Sequence, residues 1–150
     1  LVWIGSAELL SEMYGRVIVP PEVRKELLAA DVPSVVRTWA GNLPRWVEVQ
    51  TAEMSLRDDP RWRSLDLGER AAIALATANL PSVLPIDERA GTAMDRSPGL
   101  SVTGTLGVLD DAARRKLISL PDGIERLKRT SFRYPREIID RLLEEDARRR

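Results

Sequence analysis

Apolar residues recur along this chain at two spacings, and the two alternate. Ser6 to Tyr14 places Ala7, Leu9, Leu10 and Met13 at helical spacing, and Gly15 follows as a stop. Val17-Ile18-Val19 is a short unbroken apolar run, the pattern of a strand buried on both faces. Pro20-Pro21 ends that strand and opens a helix over Glu22 to Ala30. A further helix is predicted over Ser34 to Gly41 and a strand over Trp46 to Val49, followed by a polar loop from Thr51 to Leu65. An alanine-rich helix headed by Glu69 comes next, then a strand over Ser82 to Ile86 that runs into Asp87. Beyond it the pattern predicts a helix over Glu88 to Arg96, a strand over Leu100 to Thr103, and a helix from Thr105 to about Lys116 with Thr105 as its cap. Two more helices are predicted, near Gly123 to Lys128 and over Arg136 to Ala147, the last apolar at Ile138, Ile139, Leu142 and Leu143. Strands alternating with helices predict an α/β domain, a small parallel sheet between two helical layers.

A chain of 150 residues is most simply one domain. It has no cysteine and no histidine, which excludes disulfides, thiolate metal sites, imidazole zinc sites and histidine-based acid–base catalysis. Hydrolytic chemistry would then rest on carboxylates, lysine, hydroxyls or a metal held by oxygen. Lys+Arg and Asp+Glu are equal at 23 each, so bulk positive charge does not draw this chain to nucleic acid. No apolar run reaches transmembrane length and no secretory signal is visible, so a cytoplasmic location and no membrane partner are expected.

Two carboxylates, Glu69 at a helix start and Asp87 at a strand end, stand where an open α/β sheet gathers its chemistry, and Glu26 lies upstream within a helix. Glu69 lies in Asp66-Leu67-Gly68-Glu69, which has the spacing of a capping box, yet it is in line with Ile73 on the side that should face the sheet. Asp87 follows a buried-looking strand, yet it is equally placed to cap the next helix. Glu26 borders the face marked by Val23, Leu27 and Ala30, where a surface acid is the plainer reading. Taken together, three oxygen donors without His or Cys suit Mg²⁺ or Mn²⁺.

The runs V-I-V-P-P-E-V-R-K-E-L-L, L-D-L-G-E-R-A-A-I-A-L-A, V-L-P-I-D-E-R-A-G and V-T-G-T-L-G-V-L resemble PIN-domain proteins, in particular a prokaryotic branch related to the VapC-type toxin ribonucleases. The resemblance covers nearly the whole chain. It implies a PIN-like three-layer α/β/α fold in which Glu26, Glu69 and Asp87 are catalytic and hold Mg²⁺ or Mn²⁺ for hydrolysis of RNA phosphodiester bonds. It also implies a cognate antitoxin as partner, bound near the acidic crevice, and a possible homodimer for which Trp3, Ile4, Leu9 and Met13 are candidates. In one respect the chain departs from the family. Leu1-Val2-Trp3-Ile4 resembles the segment after the family's first strand, so residues 1–150 read as a single PIN-like domain lacking that strand and its aspartate. Without a central strand, its neighbours would leave backbone groups unpaired.

Substrate contacts are expected from Arg89, two residues after Asp87, and from Arg61-Trp62-Arg63 in the long loop. Trp62 either packs that loop on the core or stacks on a splayed base while Arg63 meets phosphate. Thr103 and Thr105 either support the site through their hydroxyls or serve the helix start. A PIN-like module that binds RNA or a protein without cleaving is the alternative to a metal-dependent endoribonuclease.

Overall fold

The computed structural model describes residues 1–53, 55, 58–92 and 98–149, with the side chains of Glu88 and Arg89 outside that description. Among these residues four strands and eight α-helices follow in the order α1 (Glu8–Tyr14), β1 (Val17–Val19), α2 (Pro21–Leu27), α3 (Ser34–Gly41), β2 (Val47–Val49), α4 (Leu67–Ala78), β3 (Ser82–Pro85), α5 (Glu88–Thr92), β4 (Leu100–Thr103), α6 (Thr105–Arg114), α7 (Leu120–Lys128) and α8 (Arg136–Arg149). Single 3₁₀ turns form at Val2–Ile4 and Pro60–Trp62. The expected α/β class is observed. Boundaries follow local chemistry: Gly15 ends α1 at φ 73°, returning its N–H to the Ser11 carbonyl, and Pro21 starts α2 without needing an N–H partner. The helix expected over Glu88 to Arg96 is described as far as Thr92, and residues 93–97 lie outside the described set.

The sheet is divided. β1 pairs in parallel with β2, Val17 opposite Val47 and Val19 opposite Val49. β3 pairs in parallel with β4, Ser82 opposite Leu100 and Pro85 opposite Thr103. These are two separate two-stranded sheets, where the sequence predicts one small sheet. The backbone shows which edges are left over. Val17 N–H donates to the Trp46 carbonyl and Gln50 N–H to the Val19 carbonyl, so alternation turns the N–H and C=O of Ile18 away from β2. Ser82 N–H donates to Gly99 and Ile86 N–H to Thr103, which turns the backbone groups of Val83 away from β4. A cavity of about 480 Å³ includes Val17, Ile18 and Ser82 to Pro85 in its lining, together with Tyr14 of α1 and Ala72 and Ala76 of α4. Among the described residues no strand stands between the two pairs.

Two apolar clusters flank this division. One joins Ile4, Leu9 and Met13 to Val108, Leu109, Leu120, Ile124 and Ile139. The other gathers Trp62, Leu65, Ala71, Ile73, Leu75, Leu84 and Ala90 around α4. Of the residues considered for a homodimer, Ile4, Leu9 and Met13 are therefore core, while Trp3 is exposed. No helix among the described residues is long and apolar enough to cross a membrane.

A buried ion-pair group fastens α8 to α6. Asp110, 8% exposed, accepts from Arg114 Nε at 2.9 Å and from Arg149 Nη2 at 2.6 Å, and Asp146 lies 3.6 Å from the same Arg149 nitrogen. Burial pushes the Asp110 carboxyl up, but the two guanidinium hydrogen bonds outweigh it and hold the carboxyl below the ordinary aspartate range.

Two predictions follow from these contacts. Asp110→Asn is expected to cost roughly 1–3 kcal/mol at pH 7 in thermal or denaturant unfolding, the scale of hydrogen bonds to a charged group. Because the folded-state pKa is depressed, that stability is present above the unfolded aspartate value and is lost as pH falls through the folded value. A cost unchanged by acid would show that the charge is not what matters. Hydrogen exchange tests the divided sheet: the amides of Ile18 and Val83 should exchange faster than those of Val17 and Ser82, and equal protection would mean that another segment pairs with them.

Candidate active site

Helix α4 begins with the capping box that the sequence predicts. Glu69 N–H donates to Asp66 Oδ1 at 2.8 Å, and Asp66 N–H donates to Glu69 Oε2 at 2.9 Å. The exchange satisfies two backbone donors that a helix start leaves open. Gly68, inside this turn, is buried and faces the Glu26 side chain of α2. A Cβ there would lie 2.6 Å from Glu26 Oε1 and 3.1 Å from Glu26 Cδ, so the missing side chain is what admits the Glu26 carboxylate. Glu26 and Glu69 are thereby brought together, with Asp66 as a third acid that the sequence reading weighed only as a cap.

The result is a concentration of like charge. Glu26 as a residue is exposed, but its carboxylate is partly desolvated against α4. Desolvation pushes its carboxyl above the ordinary glutamate range, and repulsion from Asp66, Glu69 and Glu22 pushes it further. All three of those neighbouring charges are negative.

Asp87 follows β3 and caps α5, its Oδ1 accepting the Ala90 N–H at 2.8 Å. It is exposed and lines a second cavity, of about 420 Å³, with Gly104, Thr105 and the segment from Phe132 to Pro135. Among the described residues no three acidic side chains form a group that could hold one metal ion. The physical reason is visible at each acid: Asp66 Oδ1, Glu69 Oε2 and Asp87 Oδ1 are turned onto backbone N–H groups. The expected set of Glu26, Glu69 and Asp87 is thus found as a pair of glutamates and a separate aspartate. As described, these residues do not fit a shared Mg²⁺ or Mn²⁺.

The remaining candidates divide as well. Trp62 is 8% exposed and packs in the core around α4, with Arg61 Cζ 5.9 Å from its ring centroid, so it is not open to a base. Arg63 is exposed just after the Pro60–Trp62 turn. The Arg89 side chain lies outside the described residues. Thr103 is half-buried and donates to the Gly104 carbonyl at 3.3 Å. Gly104, not Thr105, is the N-cap of α6, and no side chain caps it. Thr105 is the first helical residue, and it faces the cavity that Asp87 lines. The sequence reading missed Gly68, Phe132, Arg133 and Tyr134. The signal for the last three was present in R-L-K-R-T-S-F-R-Y-P-R, an acid-free run from Arg126 to Arg136 with two aromatics in it.

Glu26→Gln tests the electrostatics. A glutamate whose folded pKa is raised destabilises the fold at pH values above that pKa, and the penalty fades as pH falls to the unfolded value. The variant should therefore unfold at a higher temperature than the wild type at pH 7, with the gap closing by about pH 4. A lower melting temperature at pH 7 would show that the carboxylate is satisfied where it stands.

No curated protein and no solved structure matches the chain. A family model described as a PIN domain, DUF3368, matches residues 1–147. That match spans almost every element described above, and the chain belongs to the PIN-domain family.

Proposed function

We propose that this PIN domain is an endoribonuclease that hydrolyses RNA phosphodiester bonds in the presence of Mg²⁺ or Mn²⁺, as the VapC-like toxin of a toxin–antitoxin pair. Family membership supports nuclease chemistry in general. The single observation that carries the reading is Glu26, a carboxylate held against Gly68 with Asp66 and Glu69 as like-charged neighbours. Asp66 and Glu69 serve the helix start, but an ionised Glu26 beside them is unfavourable, and a cation or a proton in transit would relieve it.

The chemistry we assign stays with the chain's own groups. Glu26 has raised proton affinity, so it is the better base for a water attacking phosphorus. Glu69 and Asp66 keep the surrounding potential negative and hold the turn that positions Glu26. Asp87 has one oxygen on Ala90 N–H and stands at the mouth of the cavity toward Thr105, where it orients the substrate side. A divalent ion would supply charge neutralisation at the phosphate when bound. The described carboxylates do not complete its site. The antitoxin and a homodimer through the exposed Trp3 belong to this reading on the strength of the sequence resemblance.

The alternative, a module that binds RNA or protein without cleaving, is favoured by one finding: no described group of three acids could hold a metal. Cleavage of single-stranded RNA in Mn²⁺ separates the two. Glu26→Gln and Asp87→Asn should each lower the rate by roughly 10²–10⁴-fold, the usual contribution of a positioned acid–base group, and chelator should abolish it. The wild-type rate should fall on acidification above the ordinary glutamate range, as Glu26 takes up its proton. Folded variants cleaving at the wild-type rate would remove both residues from the mechanism. RNA binding indifferent to chelator, with no cleavage, would establish the module.

A further inference from the structure

From Arg126 to Arg136 the chain carries Arg126, Lys128, Arg129, Arg133 and Arg136 and no acid, although its overall charge is zero. Lys128 lies 3.7 Å from Glu125, and Arg126 Nη1 donates to the Ile4 carbonyl at 3.5 Å. Arg129, Arg133 and Arg136 are exposed, and among the described residues no ion pair engages them. Phe132 and Tyr134 flank Arg133. Their rings stack with centroids 6.1 Å apart and planes 25° apart, and Phe132 remains 38% exposed. Both rings line the cavity of about 420 Å³ whose other walls include Asp87 and Thr105. That volume lies in the range that holds small ligands, roughly 300–1,000 Å³.

An exposed Phe132 stacked on a half-buried Tyr134 that packs against the core, with unpaired guanidiniums on either side, matches single-stranded nucleic acid in both of its parts: a flat apolar base and an adjoining phosphate. An acidic protein would be answered by the arginines alone, without use for a cavity lined by two rings. We propose that this cavity receives one unstacked base of single-stranded RNA against the Phe132–Tyr134 pair, with Arg133 on the neighbouring phosphate and the Thr105 hydroxyl at the base edge. The proposal deepens the ribonuclease reading and rests on it for the choice of RNA. It also gives Asp87 a place next to bound substrate.

The test is fluorescence anisotropy of a labelled single-stranded RNA oligomer with the full chain in chelator, so that binding is read without cleavage. Phe132→Ala should weaken binding roughly tenfold or more, as expected for losing one base–aromatic stack, and Phe132→Trp should restore it. Arg133→Gln should lower the magnitude of the slope of log affinity against log salt by about 0.7, one phosphate contact on a single strand. Thermal unfolding of each variant shows whether the fold is intact, and the tryptophan variant keeps the test decisive if the alanine variant is destabilised. Wild-type affinity in Phe132→Ala, or no RNA binding by the wild type, overturns the proposal. Cleavage in Mn²⁺ that is indifferent to Phe132 overturns the pocket and leaves the ribonuclease. Binding through Phe132 with no cleavage in Mn²⁺ leaves the pocket and overturns the ribonuclease.

Discussion

Two reciprocal hydrogen bonds between Asp66 and Glu69 fix where α4 begins, and the position of much else follows from that start. The helix they open contributes Ala71, Ile73, Ala74 and Leu75 to a buried cluster and packs against both α2 and β3. Its second residue is Gly68, and the absence of a Cβ there leaves room for the Glu26 carboxylate of α2. One turn of chain therefore ties together core packing, the meeting of two helices and the place of Glu26. A capping box usually contributes to helix stability alone. Here its two acids also build the electrostatic surroundings of a third.

That arrangement costs something that the fold must offset elsewhere. A carboxylate whose neighbours are Asp66, Glu69 and Glu22 is less willing to ionise than an isolated one. Contrast Asp110, more deeply buried yet held ionised because Arg114 and Arg149 each supply a hydrogen bond. The carboxyl pKa shifts in opposite directions at the two sites: at Asp110 two guanidinium hydrogen bonds overcome the desolvation, whereas at Glu26 desolvation, reinforced by acidic neighbours, raises it. The first is a fastening between helices, and the second has the form of a site. Burial alone would have ranked them the other way.

How far the sequence foretold this depends on the range of each interaction. Helix starts were legible wherever they rest on neighbours within four residues: the Asp66–Glu69 box, Asp87 on Ala90, Pro21 opening α2. The buried stripe expected beside Glu26 is not found as such: Val23 and Leu27 are half-buried, and Ala30 is exposed beyond the end of α2 at Leu27. What sequence could not show was distance between elements. The three acids on suitable helix and strand ends were expected in one group, but Asp87 lines a different cavity from the pocket of charge around Glu26. For Trp62 the sequence left core packing and base stacking both open, and tertiary packing decides for the core. One small sheet was expected where two separate strand pairs form, and the edges they leave open, those of Ile18 and Val83, emerge only from strand register. Phe132 and Tyr134 were overlooked because two aromatics in a loop carry no periodicity, although the acid-free run around them was there to be counted.

Equal numbers of positive and negative residues conceal a separation of charge. Acids collect at the junction of α2 and α4, while bases without acids occupy the stretch from Arg126 to Arg136. A uniformly basic protein would hold a polyanion everywhere along its surface, and a uniformly acidic one would repel it. With the two signs separated, a surface of zero net charge can still offer a polyanion a basic stretch and a distinct acidic one, which is what the proposed function requires of it. Asp87 is the acid that lines the same cavity as Arg133, apart from the acids around Glu26. Zero net charge is on this view a consequence of placing opposite charges for different tasks, and it carries little information about affinity for nucleic acid.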